Sequence, residues 1–295
     1  MDLAYKIKRY FLPYLNYFFI IIQIVLVIFI IVYPFIKTIY YSFTNYNGIS
    51  NPNFIGIKNY INLFTNEKFL NAIKTNAIIA SASPLLIVVP LILAVLLFQN
   101  PGFMVKSARM TILVPFALSM TAVAVIFRSF LYADGPINIL LKKIGLGFMA
   151  LDWLSNSNTA LLVIIFTAFW KDFGWFALVY LAALSNLNQD ILDASRVDGA
   201  NWFQEFFHVI IPQLNPIIVF VTALVLIDDF RYMFDYVFNM TKGGPGYATT
   251  TVELYLYREA FNFFNFGYAC AVGVAMFIII FGFTFFQIRI MTRKD

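Results

Sequence analysis

Asp193-Ala194-Ser195-Arg196-Val197-Asp198-Gly199-Ala200-Asn201-Trp202, running on to Val209-Ile210-Ile211-Pro212, is one of the few long polar runs in a very apolar chain. Gly199 stands near its middle. Glycine takes a positive φ at no Cβ cost, so this residue can end one helix and let the next leave at an angle. On the residues alone, the run reads as an amphipathic hairpin between two apolar segments, with Asp198-Gly199 as its turn.

The chain around it has 295 residues, 61% of them hydrophobic and 12% charged. Soluble domains average about 25% charged, so the composition is that of an all-α integral membrane protein. A helix needs about 20 mostly apolar residues to cross a bilayer. Six stretches qualify: Tyr17–Phe35, Ile73–Phe98, Met110–Leu131, Thr159–Leu184, Pro216–Phe238 and Tyr268–Ile288. We expect a single domain over residues 1–295, with a cytoplasmic loop at about 185–213 and outer loops at about 37–72, 132–157 and 239–267. An even number of spans puts both termini on one side. Basic residues divide almost evenly between the two sides, but Lys6, Lys8 and Arg9, with Arg289, Arg293 and Lys294, lie close to the membrane and mark both termini as cytoplasmic. The first apolar run is too long for a signal peptide and lacks a small-residue cleavage site. Net charge is +5 and dispersed, which gives no footprint for nucleic acid. The lone Cys270 allows no intramolecular disulfide.

The spacing around Gly199 resembles the coupling loop of ABC importer permeases: Glu-Ala-Ala, three residues, Gly, nine residues, Ile, one residue, Leu-Pro. Asp193-Ala194-Ser195, Gly199, Val209 and Ile211-Pro212 occupy those places, with small departures in size and polarity. Asp198-Gly199-Ala200 is similar to the carbohydrate-importer branch, and to the first membrane subunit of maltose and glycerol-phosphate type systems. Further matches are Ser42-Phe43-Thr44 with Phe54-Ile55-Gly56-Ile57-Lys58-Asn59-Tyr60, then Gly135-Pro136-Ile137-Asn138 with Trp153, then Phe234-Asp235 with Thr241-Lys242-Gly243-Gly244-Pro245 and Thr249. The resemblance implies a type I ABC importer permease-like fold of six transmembrane helices in a bacterial cell membrane. It implies a coupling loop of two short helices that docks on an ATPase subunit through Asp193, Ala194, Ser195, Asp198, Gly199, Ala200, Val209, Ile211 and Pro212. The partners it implies are a second homologous permease, two ATPase subunits and an extracellular substrate-binding protein, beside membrane lipid.

No phosphate loop, zinc-protease helix or nucleophile elbow occurs in the chain. We therefore expect no catalytic residue, no metal and no cofactor on this chain, with ATP and magnesium on the partner ATPases. Seven ionisable residues fall inside the expected spans: Arg128, Lys171, Asp172, Asp228, Asp229, Arg231 and Asp235. Each costs about 2.5 to 3.5 kcal/mol at the centre of a lipid-facing helix, so they should face protein or water. They read either as the wall of a sugar pathway or as an ion-pair cluster that holds helices together. On a continuous helix Asp228, Arg231 and Asp235 share a face, which lets Arg231 pair with either carboxylate, while Asp229 points about 100° away. The leading reading is half of the pathway of an ATP-driven sugar importer. The alternative is a self-sufficient secondary transporter that uses the Asp cluster, and it lacks the internal inverted repeat common in such proteins.

Overall fold

The computed structural model describes residues 17–100 and 102–291, the side chains of 103–106 and 290–291 excepted. The terminal bases Lys6, Lys8, Arg9, Arg293 and Lys294 lie outside the described residues. Among the latter the fold is all helical, apart from one isolated bridge between Thr44 and Phe54. Six helices are long and apolar enough to cross a membrane: Tyr17–Ser42, Glu67–Gln99, Met120–Lys143, Ser157–Leu184, Trp202–Met240 and Phe266–Arg289. We number these spans one to six.

The first span runs on to Ser42, the second starts earlier at Glu67 and the third runs on to Lys143, and two starts differ from the sequence expectation by ten residues or more. The third span starts at Met120 instead of Met110, because Leu118 is extended and the Ser119 hydroxyl caps a new helix by accepting the Ala122 N–H at 3.2 Å. The fifth starts at Trp202 instead of Pro216. Proline is tolerated in a helix's first turn, and Pro212 sits there in the Ile211–Asp229 segment. The second short helix expected after Gly199 is therefore the first turns of the fifth span itself.

Contacts divide the chain into two compact units. One holds the described residues up to Thr65 together with Leu256–Met276. Its outer loop is tied by Asn59, whose Nδ2 donates to the carbonyls of Ser42 and Thr44, both at 2.9 Å. Tyr60 donates to Ser42 Oγ at 2.7 Å, and Gly56 turns the chain at φ +63°. Gly267 packs so closely that a Cβ would lie 2.1 Å from the Thr44 oxygen.

The other unit, Asn66–Tyr255 with the described residues from Phe277 on, carries the core. Leu91 and Val95 of the second span, Phe176 and Tyr180 of the fourth, and Leu214 and Val221 of the fifth bury their side chains in one cluster. Gly174 permits close passage of the chain before the third span, since a Cβ there would meet the Ile112 oxygen at 1.8 Å. The break in the third span after Leu131 is tied to the segment beyond the span by Asn138, which donates to Tyr132, Ala133 and Leu151 oxygens and accepts the Trp153 indole N–H at 3.0 Å. Beyond the fifth span, Thr249 and Thr250 hydroxyls donate to the Gly244 and Gly243 oxygens at 2.8 and 3.0 Å. Asn76 then accepts the Val252 N–H at 2.8 Å and donates to Glu253 at 3.1 Å.

Two stability predictions follow from this packing. Gly174→Ala should cost about 1 to 3 kcal/mol by overpacking and lower the melting temperature of the purified protein. Gly282→Ala, with open space around it, should not; equal melting of the two variants would contradict the close passage. Burial pushes the Glu253 carboxyl up to about 7, against Thr251 and Asn76, which favour the charged form. The folded state then keeps a proton that the unfolded chain has released above its ordinary value of 4.5. Stability should therefore fall as pH rises between those two values, and Glu253→Gln should flatten that slope. A variant with the wild-type pH dependence of melting would show that Glu253 is not its source.

Candidate functional site: a coupling loop and a polar cavity

The polar run folds as a helix, Gln189–Val197, capped by the Asn188 side chain on the Asp190 N–H at 2.9 Å. It ends in two crossed hydrogen bonds, Ala200 N–H to Ser195 O at 3.0 Å and Gly199 N–H to Arg196 O at 3.1 Å. That pattern requires a left-handed residue at Gly199, whose φ is +82°. A Cβ on Gly199 would meet nothing within 4 Å, so the requirement is one of backbone conformation and not of space. Asn201 and Gln204 then form a reciprocal capping box that starts the fifth span.

One face of the loop is buried and the other exposed. Leu192, Phe206 and Ile210 join the core, with Val209 and Ile211 packed against it. Asp193, Ala194, Asp198, Gly199 and Pro212 are exposed, while Ser195 and Ala200 are half-buried. Val197 is 87% exposed and Phe203 67%, which leaves apolar surface beside the carboxylates. Asp193 does not cap its helix, as Asn188 does that; it lies 3.4 Å from Arg196.

Sequence reasoning passed over the residues that fasten this loop. Arg196 reaches Glu205 with two hydrogen bonds, Nη2 to Oε1 at 2.9 Å and Nε to Oε2 at 3.3 Å. Glu205 is 5% exposed, so its charge depends on that guanidinium. The hydrogen bond to Glu205 is the main reason that the Arg196 pKa is raised above its ordinary value. Trp202 donates to Gln99 at the end of the second span at 2.8 Å and stacks on Phe206, with ring centroids 5.1 Å apart. Arg196 and Glu205, nine residues apart across a helix-ending glycine, were the signal available in the sequence.

The intramembrane charges do not form one cluster. The fifth span breaks at Phe230–Tyr232, between helices Ile211–Asp229 and Met233–Met240. Asp228 and Asp235 still line one cavity of about 680 Å³, together with Lys171 and Asp172. The expected pairing of Arg231 with these carboxylates is absent, because the break turns its guanidinium over the Tyr232 ring, 5.0 Å from the centroid. Asp229 points away, as expected, and accepts a hydrogen bond from Ser83 at a separate apolar cavity of about 380 Å³. Arg128 lines a third cavity and donates to the Asn239 oxygen at 3.3 Å.

Within the polar cavity Lys171, 3% exposed, pairs with Asp172 at 3.1 Å. Its Nζ sits 4.8 Å from the Phe116 centroid, and Phe116 stacks on Trp175 at 4.7 Å with 8° between the planes. Trp175 follows Lys171 by one helical turn, which puts plate and cation on one face. The Ser119 and Thr121 hydroxyls and Tyr232 complete the polar lining. Such a volume with few, convergent polar groups suits a small polar ligand.

Comparison with known proteins follows the fold closely. A family model described as the inner membrane component of binding-protein-dependent transport systems matches residues 54–294. The sulfoquinovosyl glycerol transport system permease protein of Agrobacterium fabrum is 33% identical over 90% of this chain and 86% of its own length. The lactose transport system permease protein of Rhizobium radiobacter is 30% identical over 96% and 95%. The crystal structure of a bacterial ABC transporter involved in import of the acidic polysaccharide alginate contains a chain that superposes with a TM-score of 0.86 over all of both chains, at 23% identity.

The clamp on the loop can be tested directly. Arg196→Ala should leave Glu205 buried without its cation and cost about 1 to 3 kcal/mol of stability, read as a lower melting temperature, which the exchanged pair Arg196→Glu with Glu205→Arg should partly restore. Gly199→Val should lower melting too and Gly199→Asn much less, since asparagine tolerates a left-handed backbone better. Wild-type melting in Arg196→Ala would remove the clamp from the account.

Proposed function

This chain belongs to the family of binding-protein-dependent transport system inner membrane components, and we propose on that premise that it forms half of the sugar pathway of an ATP-driven importer. The observation that carries the reading is the cavity beside Trp175, built on helices that also anchor the loop at Gly199. A sugar presents hydroxyls around its edge and C–H groups on its faces. Carboxylates at Asp172, Asp228 and Asp235 accept the hydroxyl hydrogens, the Phe116 and Trp175 plate stacks on a face, and Lys171 donates to ring oxygens. One relative is named for lactose and another for sulfoquinovosyl glycerol, which supports a carbohydrate or its glycoside as the cargo.

Transport by such a subunit needs partners. In this reading a second permease supplies the other half of the pathway, two ATPase subunits bind ATP and magnesium, and an external binding protein delivers the sugar. Both termini and the loop at residues 185–213 face the cytoplasm. Binding and hydrolysis of ATP displace the ATPases against the exposed surface at Asp193, Ala194, Val197 and Asp198. The Arg196–Glu205 clamp and the Trp202–Gln99 hydrogen bond pass that displacement to the fifth and second spans as a rigid-body motion. The cavity then opens to one side and closes to the other. A self-sufficient ion-driven carrier gains no support from the family or the fold.

Reconstitution of the assembled subunits in proteoliposomes tests this proposal. Uptake of a neutral disaccharide should require both ATP inside and the binding protein outside. Trp175→Ala should reduce it about three- to tenfold without loss of the ATPases on purification. Uptake driven by an ion gradient in the absence of ATPase subunits would overturn the reading.

A further inference from the structure

We infer that the Trp175 cavity selects its cargo by charge, taking uncharged and amino sugars and turning away acidic ones. This rests on the sugar pathway proposed above and adds the substrate class. Three carboxylates and one cation line the cavity. The cation, Lys171, is committed: it pairs with Asp172 at 3.1 Å in a position that is 3% exposed, and that pair is neutral overall. Asp228 and Asp235 remain, and neither has a cationic nitrogen within 4 Å. Arg231 acts on Asp228 from beyond ion-pair distance, with its guanidinium over the Tyr232 ring, and Arg128 donates to the Asn239 oxygen.

Acidic sugars are recognised by groups that this lining lacks. A carboxylate or sulfonate on a sugar calls for a guanidinium fork or a free ammonium, and no arginine lines the cavity. It would instead meet two carboxylates without an ion-pair partner between apolar walls, where repulsion is stronger than in water. An ammonium on the sugar ring meets the opposite field and can pair with either carboxylate. Neutral rings are admitted by two further features that do not depend on the acids. The Phe116 and Trp175 rings line the cavity and are each more than a third exposed, and the Ser119 and Thr121 hydroxyls beside them can pair with sugar hydroxyls.

Equilibrium dialysis of the purified assembly, binding protein omitted, separates the possibilities. The probes are three labelled disaccharides of equal ring number at low salt: diglucose, diglucosamine and digalacturonate. Diglucosamine should bind at least as tightly as diglucose and lose that advantage at high salt, and digalacturonate should bind about tenfold or more weakly. The double variant Asp228→Asn, Asp235→Asn should narrow the ratio between diglucose and digalacturonate, whatever it does to absolute affinity. Digalacturonate binding as tightly as diglucose, or a ratio unmoved by the double variant, overturns charge selection while the sugar pathway stands. Failure of all three to bind overturns both.

Discussion

Glu205 is a carboxylate at 5% exposure in the first turns of the fifth span, and Arg196 on the helix before Gly199 is the one cation paired with it among the described residues. A buried charge without its partner costs several kcal/mol, so the short helix is held to the span by the expense of letting go. The turn at Gly199 sets the angle at which the two elements meet, and Leu192 with Phe206 fills the space between them. The outcome is a polar loop that cannot swing freely. A mobile loop would absorb a push from outside; in the proposed reading this one passes it to the helices that line the cavity.

Those helices carry their charges in two different ways. Lys171 and Asp172 neutralise each other, and Asp229 leans on Ser83, both arrangements that glue helices in an apolar medium. Asp228 and Asp235 have no such partner, and the helix break at Phe230–Tyr232 presents both to one space. Thus helix-holding contacts account for some members of the set and leave Asp228 and Asp235 to the proposed pathway. The break itself separates them, since an unbroken helix would have brought Arg231 onto the same face and quenched the field.

Much of the fold was legible in the sequence, because hydrophobic length and turn chemistry act locally. The six spans and the turn at Gly199 could be read from residue type and spacing, and the motifs around Asn59 and Asn138 from the family resemblance. What escaped was tertiary. Ser119 as a cap and the continuity of the fifth span through Pro212 depend on hydrogen bonds that a hydropathy window averages away. Arg196–Glu205, Trp202–Gln99 and the Phe116–Trp175 plate join residues whose spacing carries no helical period. The face assigned to Arg231 failed for the complementary reason: it assumed a regular helix where the chain turns.

The central claim is that the loop at Gly199 is the surface on which the energy-supplying subunit acts. A photo-crosslinking amino acid placed at Val197, the most exposed apolar side chain of that loop, tests it directly in intact cells. The account predicts a crosslink to the ATPase subunit, lost when the ATPase is not expressed. A crosslink to the external binding protein, or none to the ATPase while transport is normal, would contradict it.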